Sequence, residues 1–318
     1  MKQPSIVLGL TLAANALAAE QPYPVRPLRI VTGFAPGGNT DIIARAMAQK
    51  LTERVGQQVI VENRPGAGSM IGTDYVAKAT PDGYTLLLVS GAVTTQSAVM
   101  KKLPFDALRD FAYISNAVSY PFALIVKPDA PMQSVNDLIA TAKKAPGKLN
   151  YASVGIGSVY HLATELFNAM SNVEMTHIPF KGGAEPMLEL VSGRIDVVFE
   201  TLTGAYPFLQ SGKIRSLAVT AAERSPQLPN VPTVAQSLPG YEVTSFSGFA
   251  APRGTPPERI TRLNREMRAV LEQADIRKRF TDLGGTVTPT TPEEFERHVT
   301  NEIAKWKKIA SAKKIEIN

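Results

Sequence analysis

The sequence predicts an α/β protein of two lobes with a cleft between them. Three observations carry this expectation. Apolar, strand-like runs alternate with amphipathic helical patterns; the alternation comes in two series that join near Tyr120 and again near Gly240; and glycine-containing loops recur between a strand's end and a helix's start. The length agrees: 318 residues, at roughly 150 per domain, give about two domains, each large enough to bury a core.

In the first series Pro27 to Thr32 reads as a strand, Phe34-Ala-Pro-Gly-Gly-Asn39 as a loop, and Thr40 to Val55 as a helix with Ile42, Ile43, Ala46, Met47 and Leu51 on one face. Val59 to Glu62 is a second strand. Asn63-Arg-Pro-Gly-Ala-Gly68 is a turn, and Ser69 to Ala79 a second helix that leads through Pro81-Asp-Gly83 into the strand Thr85 to Val89. The second series holds the strand Ala123 to Lys127, the helix Val135 to Lys144, the strand Leu149 to Ala152 and the loop Ser153 to Ser158. It continues with the helix Val159 to Met170, the strand Met175 to Ile178, the helix Ala184 to Ser192, and the strands Ile195 to Glu200 and Ile214 to Thr220. After Leu238-Pro-Gly240, Phe246 to Ala251 is a further strand, and two charged helices follow, about Glu258 to Leu283 and Pro292 to Ser311. Strands alternating with helices imply a mainly parallel sheet covered on both faces.

Composition narrows the chemistry. With 44% hydrophobic and 19% charged residues the chain is an ordered globular protein. Its formal charge of +6, from 34 basic and 28 acidic residues, suits attraction to small anions and lacks the basic clusters of a nucleic-acid binder. Cysteine is absent, which excludes thiol catalysis, disulfides and cysteine-type zinc sites, and only His161, His177 and His298 remain for imidazole chemistry. The first residues form a leader: Lys2 precedes an uncharged run from Ile6 to Ala19 that ends in the small-x-small pattern Ala16-Leu17-Ala18. As a helix that run spans about 21 Å, short of the roughly 30 Å of a bilayer's hydrocarbon, so residues 1–19 read as a cleavable signal peptide. No cysteine stands at the cleavage site to carry a lipid, and the mature protein is expected to be periplasmic.

Three loops stand where ligands bind in open α/β sheets, between a strand's carboxyl end and a helix's amino end: Phe34 to Thr40, Ser90 to Thr95 and Ser153 to Ser158. Their backbone N–H groups and hydroxyls suit a carboxylate or phosphate; alternatively the glycines only make tight turns. Nucleotide loops are excluded by spacing, because Gly155-Ile-Gly157-Ser158 lacks a third glycine and no G-x-x-x-x-G-K-[ST] occurs. Ser158 and His161 lack a nucleophile elbow and an orienting acid, so a hydrolase is a poor fit. His161, His177 and Glu165 match no zinc spacing and read better as structural. Asp41 and Arg45 form a first-turn ion pair, and Trp306 is a packing residue.

The motifs taken together resemble the extracytoplasmic solute receptors of tripartite tricarboxylate transporters, the Bug family. The strings that carry the likeness include Phe34-Ala-Pro-Gly-Gly-Asn-Thr-Asp-Ile-Ile-Ala-Arg45, Val61-Glu-Asn-Arg-Pro-Gly-Ala-Gly68, Pro81-Asp-Gly-Tyr-Thr-Leu86, Tyr151-Ala-Ser-Val-Gly-Ile-Gly-Ser158, His177-Ile-Pro-Phe-Lys-Gly-Gly183 and Ala251-Pro-Arg-Gly-Thr-Pro256. The resemblance implies a type II periplasmic-binding-protein fold, with lobe I from residues 20–122 and 241–318, lobe II from 123–240, a hinge, and a cleft that closes on a small organic carboxylate. It implies no catalysis and no cofactor, a monomer, and the transporter's membrane components as partners; an extracytoplasmic sensor serving a sensor kinase is the alternative. Carried onto this sequence it places Phe34, Gly37, Gly38, Asp41, Ser90, Gly91 and Thr94 in the first lobe's share of the site, and Ser153, Gly157, Ser158, His161 and Lys181 in the second's. Two positions depart from the family pattern: Glu200 stands where relatives usually carry Asp, and Phe246 where many carry Trp. Both are expected to bear on which solute is selected, with Glu200 receiving a donor group of the solute, pairing with a cation such as Lys181, or facing solvent.

Overall fold

The computed structural model describes residues 23–315; the expected signal peptide lies outside the described residues. In chain order the elements are β1 (Leu28–Thr32), α1 (Asn39–Val55), β2 (Val59–Asn63), α2 (Met70–Ala77), β3 (Thr85–Ser90), α3 (Gly91–Val99) and the long β4 (Phe111–Val126). They continue with α4 (Val135–Lys144), β5 (Asn150–Ser153), α5 (Val159–Ser171), β6 (Thr176–Pro179), α6 (Glu185–Ser192), β7 (Val197–Thr201), α7 (Leu202–Gln210) and β8 (Arg215–Val219). β9 (Thr244–Pro252), α8 (Pro257–Leu271), α9 (Ala274–Asp282), β10 (Thr286–Val287) and α10 (Pro292–Lys313) complete the chain.

Local chemistry explains the helix ends. Ser134 caps α4 by accepting from Asp137 N, and α10 starts with a reciprocal capping box between Thr291 and Glu294 behind Pro292. Gly56 ends α1 in the left-handed region, φ 69°, with its N–H on Thr52 O. The single helix expected over residues 258–283 is two. The chain turns extended at Gln273, and the second piece brings Ile276 and Phe280 into the same core as Leu263 and Met267.

The strands run β2-β1-β3-β9-β4-β7-β5-β6, with β8 and β10 also paired to β4. β1 is parallel to β2 and β3, and β5 to β6 and β7, whereas every pairing of β4 and β9 is antiparallel. The sheet is therefore mixed rather than mainly parallel. The cause is β4, whose first half, Phe111 to Tyr120, escapes a hydrophobic reading because Ser115, Asn116 and Ser119 interrupt it.

β4 also makes the two lobes. Up to Pro121 it pairs with β9, and from Phe122 onward with β7 and β8. The partner change falls at a proline, which has no N–H to give to a ladder. Thr220 ties the outgoing and returning chains together there: its Oγ1 accepts from Phe122 N at 2.8 Å, and its carbonyl accepts from Val243 N at 3.0 Å. Each lobe's sheet is covered on both faces, as the period-two alternation requires. Ile30, Leu86 and Leu88 face one core of the first lobe, and Val31, Leu87 and Val89 the other. Phe122 and Leu124, against Ala123 and Ile125, do the same in the second. Helix α10 bridges them, with Phe295, Val299 and Ile303 in a first-lobe core and Trp306 in the second lobe's.

Candidate ligand-binding site

Four helices start at one cavity where the lobes meet. Its lining includes the N-cap residue of each: Gly38 for α1, Ser90 for α3, Ser158 for α5 and Thr201 for α7. The residues that follow line it as well, Asn39 and Thr40, Gly91 and Ala92, Val159 and Tyr160. Phe34, Phe122 and Val154 add apolar wall, and Tyr120, Gly183 and Ser245 complete it. The space between the atoms, open solvent at its mouth included, is about 420 Å³. No lining residue carries a formal charge, so the positive potential comes from the first-turn amides, which have no intrahelical acceptor, and from the helix dipoles.

The two lobes offer these helix ends in different states. Ser158 Oγ accepts from His161 N at 3.3 Å and donates to Gly155 O at 2.7 Å, and Thr201 Oγ1 accepts from Gly204 N, so α5 and α7 are capped by their own side chains. No side chain caps α1 or α3. Ser90 Oγ and Asn39 Oδ1 are buried and lack a hydrogen-bond partner among the described residues. The free amides of two helix starts and the idle Ser90 hydroxyl are donors of the kind a carboxylate accepts from, whereas Asn39 Oδ1 is itself an acceptor and calls for a donor. Ser90 to Thr95, expected as a loop, is instead the end of β3 and the first turn of α3.

Other expected residues hold the lining from behind. Asp41 accepts from Gly37 N at 3.1 Å, Arg45 Nε at 2.9 Å and Asn63 Nδ2 at 3.0 Å. Burial works against its ionisation, but these bonds outweigh it and keep the carboxyl below its ordinary range. The ion pair with Arg45 thus fixes Gly37, which sits at φ +85°. Thr94 Oγ1 bonds back to Gly91 O at 2.8 Å. Ser153 Oγ accepts from Gly155 N at 3.1 Å and lies 2.6 Å from His177 Nε2, and His161 Nδ1 accepts from Gly157 N at 3.2 Å. The two imidazoles stack at 4.0 Å, with Tyr151 stacked on His177 at 4.9 Å. Burial pushes His177 down to about 4, and burial together with His177's charge pushes His161 down to about 3, so both are neutral supports of this loop.

Three expected site residues have distinct surroundings. Glu200, 3% exposed, sits behind the cavity wall, where its Oε1 accepts from the Tyr160 hydroxyl at 2.8 Å and from Thr201 N and Oγ1, each at 2.9 Å. Burial raises it to about 7 despite these bonds. Lys181 lines an outer recess with Met70, Met100, Ile156 and Phe180, and Glu200 has no ion pair among the described residues. Phe246 packs against Phe295 and His298 in a first-lobe core, because strand alternation turns it away and gives the cavity its neighbour Ser245.

The lobes touch on both sides of the cavity through glycines. A Cβ on Gly38 would lie 3.0 Å from Gly183 Cα, and one on Gly155 2.6 Å from Gly68 N. Hydrogen bonds cross beside them, Ala35 N to Lys181 O at 3.3 Å and Thr95 Oγ1 to Gly157 O at 2.6 Å.

Comparison with known proteins fits this architecture. Residues 43–315 match the model of the tripartite tricarboxylate transporter family receptor. The chain belongs to that receptor family. It is similar to BugT of Bordetella pertussis, 34% identical over 94% of each chain. Among solved structures it is similar to Rpa4515 of R. palustris with adipate, at 37% identity and a TM-score of 0.89, covering 92% of this chain and 99% of that one. MatC from Rhodopseudomonas palustris with bound malate is 32% identical with a TM-score of 0.87, covering 90% and 99%. The chain thus has the two-lobed periplasmic-binding-protein fold of a solute-binding receptor family, with carboxylates bound in two of its neighbours. Among the described residues no helix is long and apolar enough to cross a membrane.

Of the expected site residues, Phe34, Gly38, Ser90, Gly91 and Ser158 line the cavity. Tyr120, Tyr160, Thr201, Ser245 and Gly183 line it without having been singled out. Thr201 had a readable signal: a threonine closing a buried strand, three residues before Gly204, is a helix N-cap. Pro207 inside α7 obscured that helix.

Proposed function

We propose that this protein is a periplasmic receptor that captures a small organic carboxylate by closing lobe I (20–122 with 241–318) on lobe II (123–240), and delivers it to the membrane components of a tripartite tricarboxylate transporter. The convergence of four helix amino ends on a cation-free cavity supports this reading most directly. Amide donors hold a carboxylate firmly without a fixed counter-ion, and a ligand that touches both lobes stabilises the closed form over the open one. Malate and adipate are the chemistry to try, being what two neighbours hold. The leader is removed near Ala19 on export, and the mature receptor works as a monomer without lipid or cofactor. Titration calorimetry with malate, adipate and a neutral diol of matched length tests the ligand class: one acid binds with a stoichiometry of one and the diol does not. Equal binding of the diol, or none by either acid, overturns the carboxylate reading.

A further inference from the structure

We propose that Glu200 takes up a proton when an organic anion enters the cavity, so that the receptor captures an anion and a proton together. The proposal rests on the cavity being the carboxylate site. Glu200, next to last in β7, is buried, and its three donors all fall on Oε1, leaving the second oxygen as the place for a proton. Two of those donors belong to Thr201 and one to Tyr160, and both residues line the cavity, so a bound anion lies one side chain away from this carboxylate.

No cationic side chain among the described residues pairs with Glu200 to offset a second negative charge. From α5 the titratable neighbour is Tyr160, and from β4 it is Tyr120. Burial and then Glu200's own charge hold Tyr160 well above the ordinary phenol value, and burial chiefly holds Tyr120 up at about 12. Both phenols are neutral. Directly across the β4 pairing stands Ala123, and α7 brings Gly204 against the carboxylate. Two anions confined in one water-poor site raise the proton affinity of whichever is weaker as an acid, as paired carboxylates do. Burial alone already places Glu200 near neutrality, so an incoming anion completes a protonation that the empty protein has begun. The proton comes from solvent, and release of the cargo returns it.

Calorimetry with malate and adipate at pH 7.5, in phosphate, Hepes and Tris, reads the proton count from the dependence of the observed enthalpy on buffer ionisation. Both acids are fully ionised there. We expect uptake of about 0.5 to 0.75 proton per ligand, and a Kd that weakens by roughly three- to sixfold per pH unit around that point. In Glu200→Gln the count falls to zero and the pH dependence of Kd disappears. Tyr160→Phe removes one donor from the ionised carboxylate, so the pH at which Kd begins to weaken moves upward. A wild-type count of zero overturns the proposal even if the Gln variant does not fold. Uptake that persists undiminished in Glu200→Gln puts the proton on the ligand and overturns it too. Binding without uptake sinks this inference alone, whereas no binding of either acid removes the carboxylate reading beneath it.

Discussion

Alanine at Gly38 tests the proposed closure, because it burdens the form in which the lobes touch and spares one in which they part. Gly38 has φ −90° and ψ 179°, which an L-residue adopts freely, so the substitution brings no backbone strain of its own. Its new Cβ would lie 3.0 Å from Gly183 Cα and 3.2 Å from Gly183 N and O. All three are backbone atoms of the opposite lobe, and none can swing aside as a side-chain tip would. Overpacking of this kind costs about 1 to 3 kcal/mol, and only the form in which the lobes touch bears it. At about 1.4 kcal/mol per tenfold, affinity falls roughly 5- to 150-fold. Alanine is also the poorer N-cap by about 1 kcal/mol, but that loss falls on open and closed forms alike and appears in thermal stability instead. Calorimetry with malate or adipate gives the affinity, and small-angle scattering with and without ligand gives the contraction. Wild-type affinity with wild-type contraction would refute the idea that Gly38 and Gly183 must meet for the ligand to be held.

The same structure predicts opposite signatures for two cavity serines. Ser90→Ala removes an idle hydroxyl, so stability holds while carboxylate affinity drops by ten- to a hundredfold, the value of about 1.5 to 3 kcal/mol for a hydrogen bond to a charged group. Ser158→Ala removes the cap of α5 and lowers unfolding free energy by about 1 kcal/mol; chemical denaturation and calorimetry on the pair would show the reverse pattern if the assignments were exchanged. Thr95→Val removes the hydroxyl that reaches Gly157 O across the lobes and should weaken binding by about fivefold, at about 1 kcal/mol, and unchanged affinity would make that bond incidental to closure. His161 and His177 have folded values far below the imidazole value of 6.5, so the unfolded chain takes up protons first as pH falls. Their stabilising contribution is complete above about pH 6.5 and declines by up to about 1.4 kcal/mol per histidine per pH unit toward pH 4. Urea titrations at pH 7.5, 6.0 and 5.0 should show this slope, reduced in His177→Gln; an equal slope in both proteins would assign acid sensitivity elsewhere.

Most of the βα units were legible because their residues obey two local rules at once. In β1 the apolar period sets both faces, and the Phe34-Ala-Pro-Gly-Gly loop then stops the strand and starts α1. The starts of α1 and α5 at the cavity were legible for the same reason, whereas those of α3 and α7 were not. What failed depends on distant partners. Ser115 and Asn116 of β4 are buried, and Ser119 half-buried, where Asn116 and Ser119 meet Thr288 and Ser115 meets Thr290, roughly 170 positions away. Phe246 and Ser245 could not be sorted without knowing which face of β9 looks at the cavity, and one step along a strand exchanges them. The partner of Glu200 was open between Lys181 and solvent or solute; Tyr160, forty residues back on α5, became its neighbour only through packing.

Helix α10 carries the chain's single tryptophan into the core of the lobe opposite the one in which the helix is rooted. The indole belongs to the same core as Phe167, Phe199 and Tyr241, while Phe295, Val299 and Ile303 on the earlier turns of the helix pack in a first-lobe core. Besides the chain crossings at Phe122 and Val243, this helix is a third link between the lobes, and it carries a fluorophore that can be excited apart from the tyrosines. With closure as proposed, the emission wavelength and quenching of Trp306 should follow the lobes in real time in unlabelled protein, and a stopped-flow trace would resolve the order of capture and closure.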